Sequence, residues 1–334
     1  MKRVVVRVAA LVLAIASAGR SGRGASLQMT QGSAVWIDTD PAVGVPDRDV
    51  DDGVALWQAF ASPELKIRGV SVVFGNAPLA QAWPIGRRLV RELGPAGLPV
   101  YRGAASASEL GRETPASRAL AAALVRERLT VIALGPATNV ATVLRRHPEL
   151  GARIVRVVAV AGRRPGQRFT TGTANVRAHR DFNFEEDPEA FRILLDAHIP
   201  LTLAPFEISS GVWMTAPDLD RLAQGPARSR WIVTAARDWL GLWQRTFGVD
   251  GFNPFDTLAI ARVTSPALVL CETLPARIEQ RPDDVTEARM QGTNVATKPY
   301  LLVSRDFAPP APDVEYCHTA AAAFKNDLLA RLLR

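Results

Sequence analysis

The densest chemistry in the chain is Asp38-Thr39-Asp40-Pro41, followed closely by Asp49-Val50-Asp51-Asp52-Gly53. With Asp47, carboxylates at positions 40, 47, 49, 51 and 52 crowd one strand-to-helix turn. Like charges this close repel and raise one another's pKa values. A bound cation removes that cost, and carboxylate oxygens select hard cations such as calcium or magnesium. The same residues would also suit an acidic solvated loop entering a helix, where Asp is favoured at the N-terminus. The apolar run Ala34–Asp38 weighs toward a site, because it delivers Asp38 and Asp40 at the carboxyl end of a strand. Open α/β sheets bind ligands there.

The elements that must position these groups follow from hydrophobic period and punctuation. Ala34–Asp38, Ile67–Phe74, Thr130–Leu134, Ile154–Ala161 and Leu201–Ala204 read as strands. Asp51–Phe60, Pro78–Leu93, Ala137–Arg146 and Pro188–Ala197 read as the helices between them. Pro217–Ala261 is mainly helical and aromatic-rich, residues 267–305 read as short strands, and Thr319–Leu333 as a closing helix. Alternation of strand and helix predicts a single α/β domain with a mostly parallel central sheet flanked by helices. Two loops after predicted strands, Pro41–Val50 and Gly162–Gly172, stand where ligands are expected.

The 334 residues, 48% of them hydrophobic, suit one large globular domain, and no linker divides them. The net charge of +7 does not indicate a nucleic-acid partner. Lys2, Arg3 and Arg7 supply part of it, and the other arginines are scattered rather than striped. Residues 1–18 read as a signal peptide: a basic start, an apolar run Val4–Ile15 interrupted by Arg7, and Ala16-Ser17-Ala18 as the cleavage pattern. Residues 19–31 read as a polar, mobile segment and 32–334 as the domain, in a periplasmic or secreted protein; a misassigned start would make it cytoplasmic. That apolar run is short for a membrane span, so no stable membrane insertion is expected after its removal. Cys271 and Cys317 read as two core thiols, although export would permit a disulfide.

Together these segments resemble the nucleoside hydrolase family. Asp38-Thr39-Asp40-Pro41 with Asp51-Asp52 resembles its N-terminal signature. Further matches follow in the family's order: Val73-Phe74-Gly75-Asn76, Ala133-Leu134-Gly135-Pro136-Ala137-Thr138-Asn139, and Asn175 with Asp181-Phe182-Asn183 and Asp187-Pro188-Glu189-Ala190. Phe255-Asp256 and Cys317-His318-Thr319 complete the series, so the resemblance runs from about residue 34 to 330. It implies calcium-dependent hydrolysis of the N-glycosidic bond of ribonucleosides to ribose and free base. The ligands implied are Asp40, Asp52 and Asp256 through carboxylates and Leu134 through its carbonyl. Asp51, Asn76, Asn175, Asp181 and Asn183 would bind the sugar, and Asp40 would act as general base. Asp181 and Asn183 would hold the reactive sugar pucker. Relatives are commonly dimers or tetramers, which implies a homo-oligomer.

Three departures from the family pattern carry expectations of their own. Residues 42–49 lengthen the signature and make Asp47 and Asp49 rival ligands. Asp181 stands where many relatives carry Glu, one methylene longer, which points toward a sugar altered at its 5′ end. Phe255 stands where relatives that accept both purines and pyrimidines have His, a proton donor to the leaving base. Either another group donates, with His179 the first candidate, or stacking activates the base. Trp83, Trp213, Trp239, Trp243 and Phe252 are the candidate platforms, and Phe255 is a candidate substrate contact. Another N-riboside as substrate, or a calcium-dependent ribose-binding protein without turnover, are the alternatives. A nucleic-acid partner is not expected, because the proposed pocket is acidic and would repel phosphates.

Overall fold

A computed structural model describes residues 32–172, 178–285 and 296–334. The signal-peptide reading, the segment 19–31 and Asn175 lie outside the described residues. Among the described residues nine strands form one sheet: β1 Ser33–Thr39, β2 Leu65–Val72, β3 Val100–Arg102, β4 Leu129–Ala133, β5 Ile154–Ala159, β6 Leu201–Leu203, β7 Val269–Pro282, β8 Thr297–Val303 and β9 Asp313–Ala320. Their order is β3-β2-β1-β4-β5-β6-β9-β7-β8. The strands from β3 through β9 run parallel, and β7 pairs antiparallel with both β9 and β8.

Eleven helices are described: α1 Asp51–Phe60, α2 Leu79–Leu93, α3 Pro115–Arg126, α4 Thr138–Arg146, α5 Phe182–Glu186, α6 Pro188–Asp196, α7 Phe206–Ser209, α8 Ala216–Ala223, α9 Arg230–Phe247, α10 Thr257–Thr264 and α11 Phe324–Leu332. They cover both faces of the sheet, as strand alternation requires. Val35 and Ile37 of β1 point into one core with residues of α1, α9, α10 and α11. Trp36, between them, points into the other, with residues of α3, α4 and α6. Parallel strands covered on both sides lose the polar-out alternation, which is why β1 and β4 are nearly continuous apolar runs.

Several local features follow directly from sequence. Thr114 accepts the amide of Ser117 and closes a capping box at the start of α3. Asp187 caps α6, its side chain accepting from Ala190 N–H at 3.0 Å, with Pro188 as the first residue of the helix. Gly248, with φ +67°, ends α9 in the left-handed conformation.

The C-terminal third departs from the sequence expectation. Residues 267–305 hold one 14-residue strand, β7, and the shorter β8, rather than a series of short strands. Cys317-His318-Thr319 belongs to β9, and the closing helix begins only at Phe324. Cys271 and Cys317 are not separate thiols: they face each other across the β7–β9 pair and form a disulfide. Their pairing comes from strand register, which cysteine count alone does not reveal. Among the described residues, no helix is long and apolar enough to cross a membrane.

Candidate active site

The acidic residues converge at the carboxyl ends of the parallel strands. Asp38 is the penultimate residue of β1 and Asp40 the residue after it, Asn76 lies in the loop after β2, and Leu134 is the residue after β4. Two helices add their N-termini. Asp51 and Asp52 form the first turn of α1, and Asp256 occupies the N-cap position of α10. Carboxylates at helix N-termini meet the positive end of the dipole and the unpaired amides.

Carboxylate oxygens of Asp51, Asp52 and Asp256 lie within 4.8 Å of one another, and all three residues are buried. Asp40 adjoins them: its backbone N–H donates to Asp52 Oδ1 at 3.0 Å. Asn76 ties the two together, with its backbone N–H on Asp40 Oδ2 at 2.7 Å and its side-chain amide on Asp52 Oδ2 at 3.2 Å. Thr39 Oγ1 also donates to Asp52 Oδ1. Two glycines make room for Asp40. A Cβ at Gly75, where φ is +153°, would stand 1.9 Å from Asp40 Oδ2, and one at Gly135 would stand 2.5 Å from Oδ1.

Beneath this cluster lies a polar support that the sequence reading passed over. Asp38 accepts from Ser71 Oγ and from Asn139 Nδ2 at 2.8 Å. Asn139 in turn accepts from the Ala104 amide at 2.9 Å, and Trp36 Nε1 donates to Ser71 Oγ at 2.8 Å. Asn139 stands in one of the matched segments, but nothing in the sequence pairs it with Asp38.

Electrostatics set this cluster apart from an ordinary acidic loop. Burial, then repulsion from Asp52, holds the Asp40 carboxyl well above the usual range. Asp256 is pushed up by burial and then by Asp51, Asp52 and Asp40. Asp51 is pushed up by burial and by Asp49 and Asp52. Burial also raises Asp52, against the hydrogen bond from Thr39. Asp40 Oδ1 and Asp256 Oδ2 are buried with no hydrogen-bond donor. Buried carboxylates without donors are costly unless a cation or a proton compensates them. The donor set is all oxygen and fits a hard divalent cation.

Of the rival ligands, Asp49 turns back on its own helix, accepting from Val50 N–H at 2.7 Å and Asp51 N–H at 3.1 Å. Asp47 is exposed at the rim, with φ +57°. The Asp49 carboxyl also lies against that of Asp51, at the edge of the cluster of Asp51, Asp52 and Asp256.

A cavity of about 520 Å³ opens above the carboxylates. Asp51, Asn76, Leu134, Asp181, Asn183 and Asp256 line it, while Asp40 and Asp52 lie beneath its surface. Asn183 Nδ2 donates to Leu134 O at 2.5 Å and to Val160 O at 3.1 Å, fixing α5 against the ends of β4 and β5. Asp181 Oδ2 accepts the Gly162 amide at 2.8 Å. Burial raises the Asp181 carboxyl to about 6, with Arg163 and that amide working against the rise.

The opposite wall is aromatic. Phe169, Phe206, Phe247, Phe255, Trp239 and Trp243 line it, with His179 among them. Phe169 stacks on Phe206 at 4.7 Å between centroids, and Phe206 lies 5.8 Å from Phe255. The His179 ring is 6.0 Å from Phe206 and 5.1 Å from Phe247. Trp239 and Trp243 come from one face of α9, as their i, i+4 spacing dictates.

The structure corrects the reading of three other candidate platforms. Trp83 does not line the cavity: it packs against Val72, Leu79 and Ala82, with Arg87 over its ring. Trp213 packs edge-on to Trp243 at the edge of the core, and Phe252 is fully buried there. Sequence reasoning missed Phe206 and Phe247; it flagged only the loop that carries Phe169.

Comparison with known proteins adds family to geometry. Residues 35–305 match the family model described as inosine-uridine preferring nucleoside hydrolase. A pyrimidine-specific ribonucleoside hydrolase of Klebsiella pneumoniae is 27% identical over 263 residues, covering 70% of this chain and 80% of the relative. Among solved structures, a plant nucleoside hydrolase superposes with a TM-score of 0.73 at 20% identity, covering 90% of this chain and 99% of its own. A purine-preferring ribonucleoside hydrolase from Gardnerella vaginalis gives 0.68 at 20% identity, covering 90% and 98%. The two structural matches speak to the fold.

Proposed function

The chain belongs to the inosine-uridine preferring nucleoside hydrolase family, and from that premise we propose that it hydrolyses ribonucleosides to ribose and free base with a calcium-class cation at its acidic floor. The observation that carries the proposal is the buried cluster of Asp51, Asp52 and Asp256 with Asp40 beside it, under an aromatic-walled cavity. Asp40, Asp52 and Asp256 through carboxylates, and Leu134 through its carbonyl, would hold the cation. Asp51 is near enough to share it. When bound, such a cation supplies positive charge that lowers the pKa of a water and anchors sugar hydroxyls.

The chain's own residues account for the rest. Asp40 is the general base, since its buried Oδ1 has no protein donor and a carboxylate so held binds a proton avidly. The water oxygen bonds to the anomeric carbon as the carbon–nitrogen bond breaks. One water proton goes to Asp40, the other stays on the new sugar hydroxyl, and the departing base takes its proton from a separate donor. Positive charge developing on the sugar faces carboxylates, which stabilise it. Asp51, Asn76, Asp181 and Asn183 line the sugar end of the cavity. The aromatic wall takes the base, with Phe255 a stacking surface in place of a proton donor. His179 is the imidazole on that wall and the assigned proton donor to the leaving base.

The protein is proposed to be exported, on the N-terminal segment and on a disulfide of a kind that persists in oxidising compartments. It is proposed to assemble as a homodimer or homotetramer. The test of function is base release from a panel of purine and pyrimidine ribonucleosides. Release from at least one, abolished by chelator and restored by calcium, is the expected result. Turnover of none, with calcium bound, would overturn the substrate assignment.

A further inference from the structure

Arg163 is 1% exposed, and it is among the largest fully buried side chains of the described residues. It does not line the cavity, so no catalytic step uses it. Its partners, however, all lead there. The guanidinium donates to Asp284 Oδ2 at 2.7 Å, and Val285, the next residue, lines the cavity. Its carbon lies 4.1 Å from the centroid of Phe169, the ring that stacks on Phe206. On its third side it lies 3.7 Å from Glu185 Oε1. That same oxygen accepts the backbone N–H of Asp181 at 2.9 Å, at the start of the helix that carries Asn183.

The neighbours close the network. Lys298 Nζ bridges Glu185 at 2.8 Å and Asp284 at 3.0 Å. The Tyr300 hydroxyl donates to Asp284 Oδ1 at 2.9 Å and accepts the Asp284 amide at 2.8 Å. The Arg163 backbone joins β8, its N–H on Leu301 O and its carbonyl on Val303 N–H, both at 3.0 Å. A buried cation in contact with three separate segments restricts where each can move, because breaking any one contact leaves a buried charge undercompensated. A planar guanidinium can stack on a ring while it bonds at its edge, which an ammonium cannot do.

The geometry points to Arg163 as a positioning residue that locks the base-facing ring Phe169 and the sugar-facing turn Asp181–Asn183 to the β7–β8 hairpin, fixing both ends of the nucleoside at once. The inference rests on the nucleoside reading of the cavity. It concerns binding geometry, so its signature is in KM more than in metal content or folding. Misplacing groups that contact substrate costs binding and near-attack geometry even when the chemistry-bearing residues remain.

The experiment compares the holoenzyme with its Arg163→Met, Arg163→Lys and Asp284→Asn variants. Each is measured for calcium content, thermal midpoint and steady-state kinetics on the best nucleoside of the wild-type panel. Arg163→Met should keep its calcium and raise KM about tenfold or more, with a smaller loss in kcat. Arg163→Lys should recover part of that loss, because it restores charge without the stacking plane. Asp284→Asn, which keeps the Phe169 contact, should raise KM by a smaller factor. Unchanged KM in folded, calcium-loaded Arg163→Met overturns the inference. If Arg163→Met fails to fold, unchanged KM in Asp284→Asn does so. A wild-type protein that turns over no nucleoside refutes the functional reading instead, and is seen before any variant is made.

Discussion

Asp40 concentrates the conflict at the floor of the site: fully buried, repelled by Asp52, and with one oxygen lacking a donor. Without a cation that buried carboxyl is costly, and in the proposed mechanism it is the general base. Asp40→Asn should therefore abolish hydrolysis, by at least about 1000-fold, while leaving the metal-free thermal midpoint unchanged or higher. A thermal melt with chelator and a base-release assay check the two halves separately. Gly75→Ala should fail differently. Its Cβ would collide with Asp40 Oδ2 at 1.9 Å and occupy a positive-φ position, so both calcium binding and stability should fall. His179→Ala separates chemistry from binding by leaving group. It should slow release of purine or pyrimidine about 100-fold or more, yet hydrolyse p-nitrophenyl riboside, whose leaving group needs no proton, at nearly the wild-type rate. Equal losses on both would remove His179 from the role of proton donor.

At the scale of elements, the strand ends and helix starts that build the floor were largely legible in sequence. Asp51–Phe60 is the helix expected, and β1, β4 and β5 differ from their expected bounds only at the ends. Apolar runs bounded by Gly, Pro and Asp are strong local signals, and the site hangs on them. What was not legible depends on packing between distant segments. Trp83, Trp239 and Trp243 are alike in sequence, yet only the latter two face the cavity, because that depends on how α2 and α9 dock. The Cys271–Cys317 pair and β9 required the register of strands far apart in sequence. The disulfide closes a separation of 46 residues, so Cys271→Ser with Cys317→Ser should lower unfolding free energy by about 2–4 kcal/mol. Denaturant titration measures it.

The turn that opens α5 adds a pH prediction at the same scale. The folded-state pKa of Asp181 is raised from 3.8 to about 6. The folded protein therefore holds that proton more tightly than the unfolded chain. The associated stability is fully present below the unfolded value and is lost as pH rises through about 6. Asp181→Asn carries no such titration, so its stability relative to wild type should increase between pH 4 and pH 7. Paired chemical denaturation at those values tests the sign; a relative decrease would contradict the environment described for Asp181.

For the molecule as a whole, one polarity organises the cavity: carboxylates and amides at the strand ends, rings on the opposite wall. Much of the polar end was visible from family resemblance and motif order, whereas the ring wall, Phe255 apart, assembles from α7, α9 and a loop outside the matched segments. The family model gives nucleoside hydrolysis as the class of reaction, and the solved structures agree with it on the fold. Because carboxylates must lose protons to take a cation, apparent calcium affinity should also rise with pH. Calorimetric titration at pH 6 and pH 8 measures this.

The most direct test of the central claim is to measure bound calcium and nucleoside hydrolysis in the same samples, for wild type and Asp256→Ala, through chelation and calcium readdition. The account predicts about one calcium per wild-type chain, activity that disappears and returns with it, and neither calcium nor activity in Asp256→Ala. Full hydrolysis by wild-type protein stripped of divalent metal would contradict it.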